Sequence, residues 1–286
     1  MAPTPSGTST PVVHRYQASG GGVPVNAYLV EGERGVVGVD ATLTVSDGRA
    51  LRAAADGLGK PLEGVVVTHP HPDHYGGLVE LVRGLDVPVW ATAGVIEVAR
   101  RDDAAKEAIL RPMFGDEWPA ERAFPAEVVA GGAELSVGDI ELTVLDLGPG
   151  ESPHDTVWQL GTDRATVFSA DLAYNHMHGY LADGYWEQWL ASIERLAGAL
   201  APGATLHPGH GDPATAELLG WQRGYIECFV DAVRGADWRA PERARESVLA
   251  AIGDYLPRDE LRFLVELSIE PVAAQLGLLD ASGDAG

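Results

Sequence analysis

A single cysteine, Cys228, leaves no route to an intramolecular disulfide or a thiolate-rich zinc site. Its apolar neighbours Tyr225, Ile226, Phe229 and Val230 read as a packed structural thiol rather than a nucleophile. Basic side chains are also scarce: 20 Lys and Arg stand against 42 Asp and Glu, a formal charge of -22 that repels phosphate backbones and anionic lipid surfaces. Nucleic acid and membrane are therefore not expected partners, although bound divalent metal would reverse that sign locally and admit an anionic small substrate. No cluster of Arg and Lys marks a glutathione or nucleotide pocket. No apolar stretch reaches membrane-spanning length. Residues 1–10, rich in Pro, Ser and Thr, lack the charged-then-apolar pattern of a secretion signal and read as a flexible tail, so the expected location is the cytoplasm.

The chain is 45% hydrophobic over 286 residues, enough for a sizeable core. Its chemistry is concentrated at 68–77, Thr-His-Pro-His-Pro-Asp-His-Tyr-Gly-Gly, directly after the β-branched run Val65, Val66, Val67. A short apolar run ending abruptly in histidines and prolines reads as a buried strand delivering a polar loop at its C-terminal edge. Three imidazoles and a carboxylate packed so closely are costly to desolvate and orient, and a metal ion offsets that cost. Pro70 and Pro72 hold the backbone extended, so His69 and His71 project on one side and can chelate one ion. Asp73 and His74, past the bend, can serve another, while Gly76 and Gly77 let the chain turn tightly into the helix that follows.

Upstream, 12–17, 23–30 and 35–40 read as an opening β-meander. Asp40 ends the third strand, where its carboxylate could support the histidine loop or cap the next turn; Ser46 and Asp47 then open a helix. Strand and helix alternate downstream, with a helix expected at 94–110. The stretch 111–124, holding Pro112, Met113, Phe114, Trp118 and Pro119, is too irregular for a core element and reads either as a pocket wall or as a loop packed on the surface. A second meander leads to the loop 148–156, which carries His154; a strand then ends at Asp171, and a further one leads to His210. From 214 onward the pattern is helical, an expected extension packed on the 11–213 domain that could wall a pocket or make a homodimer contact.

His69, His71, Asp73, His74, His154, Asp171 and His210 all sit just beyond strand ends, and seven ligands suit two adjacent metals. In an αββα sandwich such loops emerge on one edge. In this order, from Asp40 through the His-x-His-x-Asp-His loop to His210, the chain resembles the metallo-β-lactamase-fold hydrolase superfamily over about 12–213. The resemblance implies an α/β fold, a four-layer αββα sandwich here followed by the helical extension. It further implies two zinc ions, with iron or manganese as substitutes: His69, His71 and His154 on one, Asp73, His74 and His210 on the other, and Asp171 bridging. An acid at 171, where zinc β-lactamases often carry Cys, resembles the glyoxalase II-like and lactonase branches.

That family implies a hydrolase that attacks an ester, lactone, thioester or amide carbonyl of a small molecule with a hydroxide shared by the two metals. Asp73 would orient the hydroxide. Tyr174, three residues past Asp171, resembles the tyrosine that lactonases place over the substrate carbonyl, though a tyrosine merely packed under a helix would look the same in sequence. His178, Trp118 and Tyr180 are candidate pocket residues; His178 could equally be a hydrogen-bonded surface histidine. Two alternatives stay open: a single-iron oxygenase of the persulfide dioxygenase type, and β-lactam hydrolysis as a minor reaction.

Overall fold

The structure is a computed structural model that describes residues 10–19, 21 and 23–279; the expected tail at 1–10 lies, apart from Thr10, outside the described residues. The chain divides into two compact units, the first formed by the described residues up to Asp146 with Thr156–Phe168, the second by Leu147–Asp155 with the described residues from Ser169 onward.

In the first unit, β1 (Val12–Gln17), β2 (Asn26–Glu31) and β3 (Val36–Val39) pair antiparallel. Three parallel partners extend the sheet: β4 (Leu62–Val66), β5 (Val89–Ala91) and β6 (Glu127–Val128), in the order β1-β2-β3-β4-β5-β6. Parallel neighbours require crossovers. These are supplied by α1 (Val45–Gly57), by the short helices α2 (Pro72–Tyr75) and α3 (Leu78–Leu81), and by α4 (Ala93–Phe114).

Side-chain alternation along β2 decides the layers. Ala27 and Leu29 join Leu51, Leu78, Leu81 and Val95 in a core under the helices. Tyr28 and Val30 face the other way, into a second core with Ile140, Leu142, Val144, Trp158 and Phe168. Those residues belong to β8 (Ile140–Gly148), β9 (Asp155–Leu160) and β10 (Thr166–Ala170) of a second sheet. In the first unit this sheet runs β7 (Glu134–Val137), β8, β9, β10. Within the first unit, helices, sheet and sheet are therefore stacked in layers, two hydrophobic cores apart.

The second unit takes the end of β10 and pairs it with β11 (Thr205–Pro208), which pairs antiparallel with β12 (Ala214–Thr215). Its helices are α5 (Trp186–Ala199), α6 (Glu217–Gly235), α7 (Pro241–Tyr255) and α8 (Arg262–Gln275), so the expected C-terminal helices are present. The buried stripe of α6, including Tyr225, Ile226, Phe229 and Val233, has the 3.6-residue period of a helix packed along one face. Cys228 lies off that stripe, half-buried, with its thiol pKa raised by burial, as suits a structural thiol. Among the described residues no helix is long and apolar enough to cross a membrane.

Three local expectations change. Helix α1 opens at Val45, one residue before the expected Ser46, and is capped by Thr44, whose hydroxyl accepts the Asp47 N–H. Helix α4 runs to Phe114, past Pro112. Beyond it Trp118 is fully buried and its indole N–H donates to Glu107, while the Arg111 and Arg122 guanidiniums donate to the Pro119 carbonyl. The 111–124 segment is thus clamped onto its own helix.

Gly76 and Gly77 do not act through unusual dihedrals, since both have ordinary negative φ. They are needed for close approach: a Cβ on Gly77 would strike the Ala41 carbonyl oxygen and lie 3.0 Å from the Gly48 Cα. Backbone on both sides cannot yield cheaply, so Gly77→Ala is expected to lower the unfolding free energy by about 1–3 kcal/mol. Gly57→Ala, at the open end of α1 with nothing within 4 Å of its Cβ, should be neutral or stabilising. Denaturant unfolding of the pair checks this; equal effects would remove the close-approach argument.

Candidate metal centre

The histidine loop of the first unit is held by one carboxylate. Asp40 follows β3 with φ +61°, a left-handed conformation that Asp tolerates better than most residues. Its Oδ1 accepts the Thr68 N–H at 2.8 Å. Its Oδ2 accepts the Thr68 hydroxyl at 2.8 Å and lies 2.8 Å from His74 Nδ1. A carboxylate only accepts when ionised, so His74 carries its proton on Nδ1 and presents the Nε2 lone pair. The His69 Nδ1 lies 3.1 Å from the Thr68 hydroxyl. Asp40 therefore ties Thr68 and His74 of the histidine loop to the end of β3.

The three rings converge. His69 and His74 have centroids 4.0 Å apart, His69 and His71 5.0 Å, and all three side chains are buried. Asp73 Oδ2 lies 3.8 Å from His74 Nε2, and at 18% side-chain exposure Asp73 is the donor of this loop that solvent reaches most easily. The strand-to-loop geometry is locked from the other sheet of the same unit: the Thr156 N–H and hydroxyl both donate to the Thr68 carbonyl, at 3.1 and 2.6 Å.

In the second unit Asp171 follows Ala170, which is held at φ +45° at the end of β10. Asp171 Oδ2 is 3.3 Å from His210 Nε2, and both side chains are buried. The Tyr174 hydroxyl lies 2.7 Å from the same Asp171 oxygen and 2.8 Å from Glu151 Oε1, and its ring stacks on His210 at 4.9 Å with the planes 3° apart. The Tyr174 hydroxyl thus bonds carboxylates of its own unit. Glu151, which sequence reasoning did not single out, is 1% exposed. His154 is half-buried, with its N–H donated to the Ser152 hydroxyl. Among the described residues, the side chains in candidate metal-ligating clusters are His69, His71, Asp73 and His74 in the first unit, and Glu151, Asp171 and His210 in the second. Neutral imidazoles mixed with carboxylates are a donor set suited to first-row divalent metals.

The candidate pocket residues have partners of their own. Both ring nitrogens of His178 are engaged: Nε2 donates to the Arg258 carbonyl at 2.9 Å, which leaves Nδ1 to accept the Tyr225 hydroxyl at 3.1 Å. Burial, first, lowers its pKa. Tyr180 is half-buried, and desolvation followed by the charges of Asp183 and Glu151 raises its hydroxyl pKa. His176, exposed, lies against the Trp221 ring at 4.7 Å.

A family model described as the metallo-beta-lactamase superfamily matches residues 20–210, which includes both groups of donors. The chain belongs to the metallo-beta-lactamase superfamily. Among curated relatives it is 32% identical over 138 residues to a ferredoxin--NADP reductase of Saccharopolyspora erythraea, covering 48% of this chain and 41% of that protein. A hydroxyacylglutathione hydrolase of Bdellovibrio bacteriovorus is 27% identical over 135 residues, covering 47% of this chain and 44% of its own length. A solved structure described as TTHA1623 in a di-iron-bound form shares 29% identity and superposes with a TM-score of 0.60, over 74% of this chain and 99% of that one. The chain spans less than half the length of the curated relatives named here.

Within this superfamily fold, Asp40→Asn should keep the loop's shape but lose the acceptor that sets the His74 tautomer. Metal affinity is expected to fall about 10–100-fold, read as metal retained after dialysis against a weak chelator. His178 gives a separate expectation. Because its folded pKa is lowered, the unfolded chain binds the extra proton first, and stability falls as pH drops below the unfolded value of about 6.5. In urea titrations between about pH 5 and 7, His178→Gln should flatten that slope; an unchanged slope would show that other groups carry it.

Proposed function

We propose that this chain is a metal-dependent hydrolase acting on an acyl carbonyl of a small molecule, with a thioester the first class to test. The observation that carries the reading is the Asp40 hub, which orders Thr68 and His74 and sets an imidazole tautomer for metal binding. His69, His71, Asp73 and His74 of the first unit would supply ligands to divalent metal, and in the second unit Asp171, His210 and a donor from the 148–155 loop would do the same. Bound there, such ions supply a Lewis acid for the carbonyl oxygen and lower the pKa of a coordinated water to about 7.

The chain's own side chains do the rest. Asp73, the one carboxylate of the loop and partly exposed, would accept and hold the proton of the attacking water. Tyr174 would orient Asp171 and Glu151, because its hydroxyl is engaged with both. This differs from direct donation to the oxyanion, the role the resemblance implied. The named activity of the hydroxyacylglutathione hydrolase relative favours a thioester, whereas the scarcity of Arg and Lys argues against a glutathione carrier. Zinc is the metal of this reading; the di-iron form of the solved relative makes iron the first alternative to assay.

Protein purified without added metal should contain about two divalent ions per chain and hydrolyse at least one member of a panel of acyl thioester, lactone, chromogenic lactam and phosphodiester. Chelation should abolish turnover and metal should restore it. Asp73→Asn is expected to lower turnover about a hundredfold or more with unfolding unchanged. Full activity in that variant would overturn the assigned role, and one iron per chain with oxygen consumption would replace the hydrolytic reading.

A further inference from the structure

The loop 148–155 carries two residues that could bind metal, and the second unit's geometry separates them. The loop is wound around the Asp155 carboxylate, which accepts the Glu151 N–H at 2.6 Å, the Ser152 N–H at 3.2 Å and the Ser152 hydroxyl at 2.5 Å. Gly150 is required for this, since a Cβ there would strike Asp155 Oδ2. Winding the backbone inward buries the Glu151 side chain to 1% exposure; His154, past the bend, is half-buried as a residue with its Nε2 buried, so grouping with other donors and not burial distinguishes the two.

A carboxylate so deeply buried is costly to keep charged unless a cation or several donors face it. Here the Glu151 carboxylate meets the Tyr174 hydroxyl, and that same hydroxyl meets Asp171. Two buried acids within hydrogen-bond distance of a single hydroxyl, with His210 stacked on its ring and 3.3 Å from Asp171, bring carboxylate oxygens and an imidazole together, the donor types a first-row divalent cation takes. Glu151, and not His154, is also the member of this loop that falls among the candidate metal-ligating side chains.

We infer that Glu151 is the metal ligand supplied by the 148–155 loop, in place of the His154 that the family resemblance implied. This rests on the metal-dependent reading above and deepens it. A carboxylate oxygen in place of an imidazole nitrogen makes the donors of this loop harder, shifting preference from zinc toward manganese or ferrous iron. Tyr174 then becomes a positioning residue, holding Glu151 and Asp171 in register through one hydroxyl.

The test compares Glu151→Gln, Glu151→His and His154→Ala in the full chain, loaded with cobalt(II) and read by metal content, by titrated affinity and by the visible ligand-field spectrum. Glu151→Gln is expected to weaken one cobalt site by at least about a hundredfold, because even the loss of an outer-sphere partner costs 10–100-fold. Glu151→His should regain the ion with a spectrum shifted by the added nitrogen. His154→Ala should keep two ions and an unchanged spectrum. The reverse pattern, loss in His154→Ala with wild-type binding in Glu151→Gln, overturns the assignment of Glu151 while leaving the metal reading intact. Wild-type protein that binds no cobalt overturns both. Thermal unfolding of the metal-free variants separates lost ligation from lost folding: a Glu151→Gln chain that has lost cobalt and also fails to melt cooperatively counts as support only if Glu151→His recovers both.

Discussion

The centre of the first unit depends on one buried carboxylate that accepts three hydrogen bonds. Asp40 is where β3 ends, Thr68 is where β4 ends, and β3 and β4 are parallel neighbours, so the two strand ends lie side by side. Joining them through a side chain rather than through further ladder bonds lets both strands stop at one level while the chain after Thr68 diverges into the histidine loop. The same carboxylate reaches His74 and fixes the face that ring presents. Strand register thus becomes imidazole orientation. A charged acceptor with three donors is among the stronger polar arrangements a protein interior offers, which is how a buried charge is tolerated here.

That logic accounts for which parts of the centre were legible in the sequence. The His-x-His-x-Asp-His spacing is informative because so many polar groups, desolvated at such close spacing, are seldom tolerated without a cation among them. The strand before it reads plainly from Val65, Val66 and Val67. Asp40 was legible as a position but open as to role, since an acid after a strand can as well cap a turn. Glu151 was illegible for a physical reason: glutamate in a Gly- and Pro-rich loop is ordinarily solvated, and only the winding of that loop about Asp155 buries it. His154, by contrast, drew attention by its place in a loop beyond a strand end and by the family resemblance. Trp118 misled in a similar way, because an aromatic in an irregular stretch looks like a pocket wall until Glu107, Arg111 and Arg122 are seen to tie that stretch to α4.

The broad architecture was legible through alternation. β2 sends Ala27 and Leu29 to one core and Tyr28 and Val30 to the other, a period of two that can be counted in the sequence. Boundaries were less so. Helix α4 outlasts Pro112, because a proline near a helix C-terminus removes one N–H whose loss the following turn absorbs, and Arg111 satisfies carbonyls beyond it. The glycine pair after the histidine loop was read as permitting a tight turn, yet the structure uses it for closeness of backbones and not for freedom of φ.

Part of the backbone strain among the described residues lies beside the polar clusters. Asp40, Thr42 and Ala170 are non-glycine residues at φ of +61°, +64° and +45°. Asp40 is itself the carboxylate that bonds Thr68 and His74, Thr42 lies two residues on, and Ala170 precedes Asp171. A left-handed residue costs about 1–2 kcal/mol, and such outliers persist where the surroundings over-determine them. At Asp40 the compensation lies in the three bonds its carboxylate accepts. At Ala170 it comes through the neighbour, since Asp171 is held by Tyr174 and His210, and the Ala170 carbonyl accepts the Gly209 N–H. Both strand ends therefore trade backbone comfort for carboxylate placement. In each unit the acid right at or after the strained residue is the one that organises an imidazole: Asp40 orders His74, and Asp171 lies against His210. Each unit thus places an acid at a strand end beside an imidazole, Asp40 through three accepted bonds and Asp171 through the Tyr174 hydroxyl.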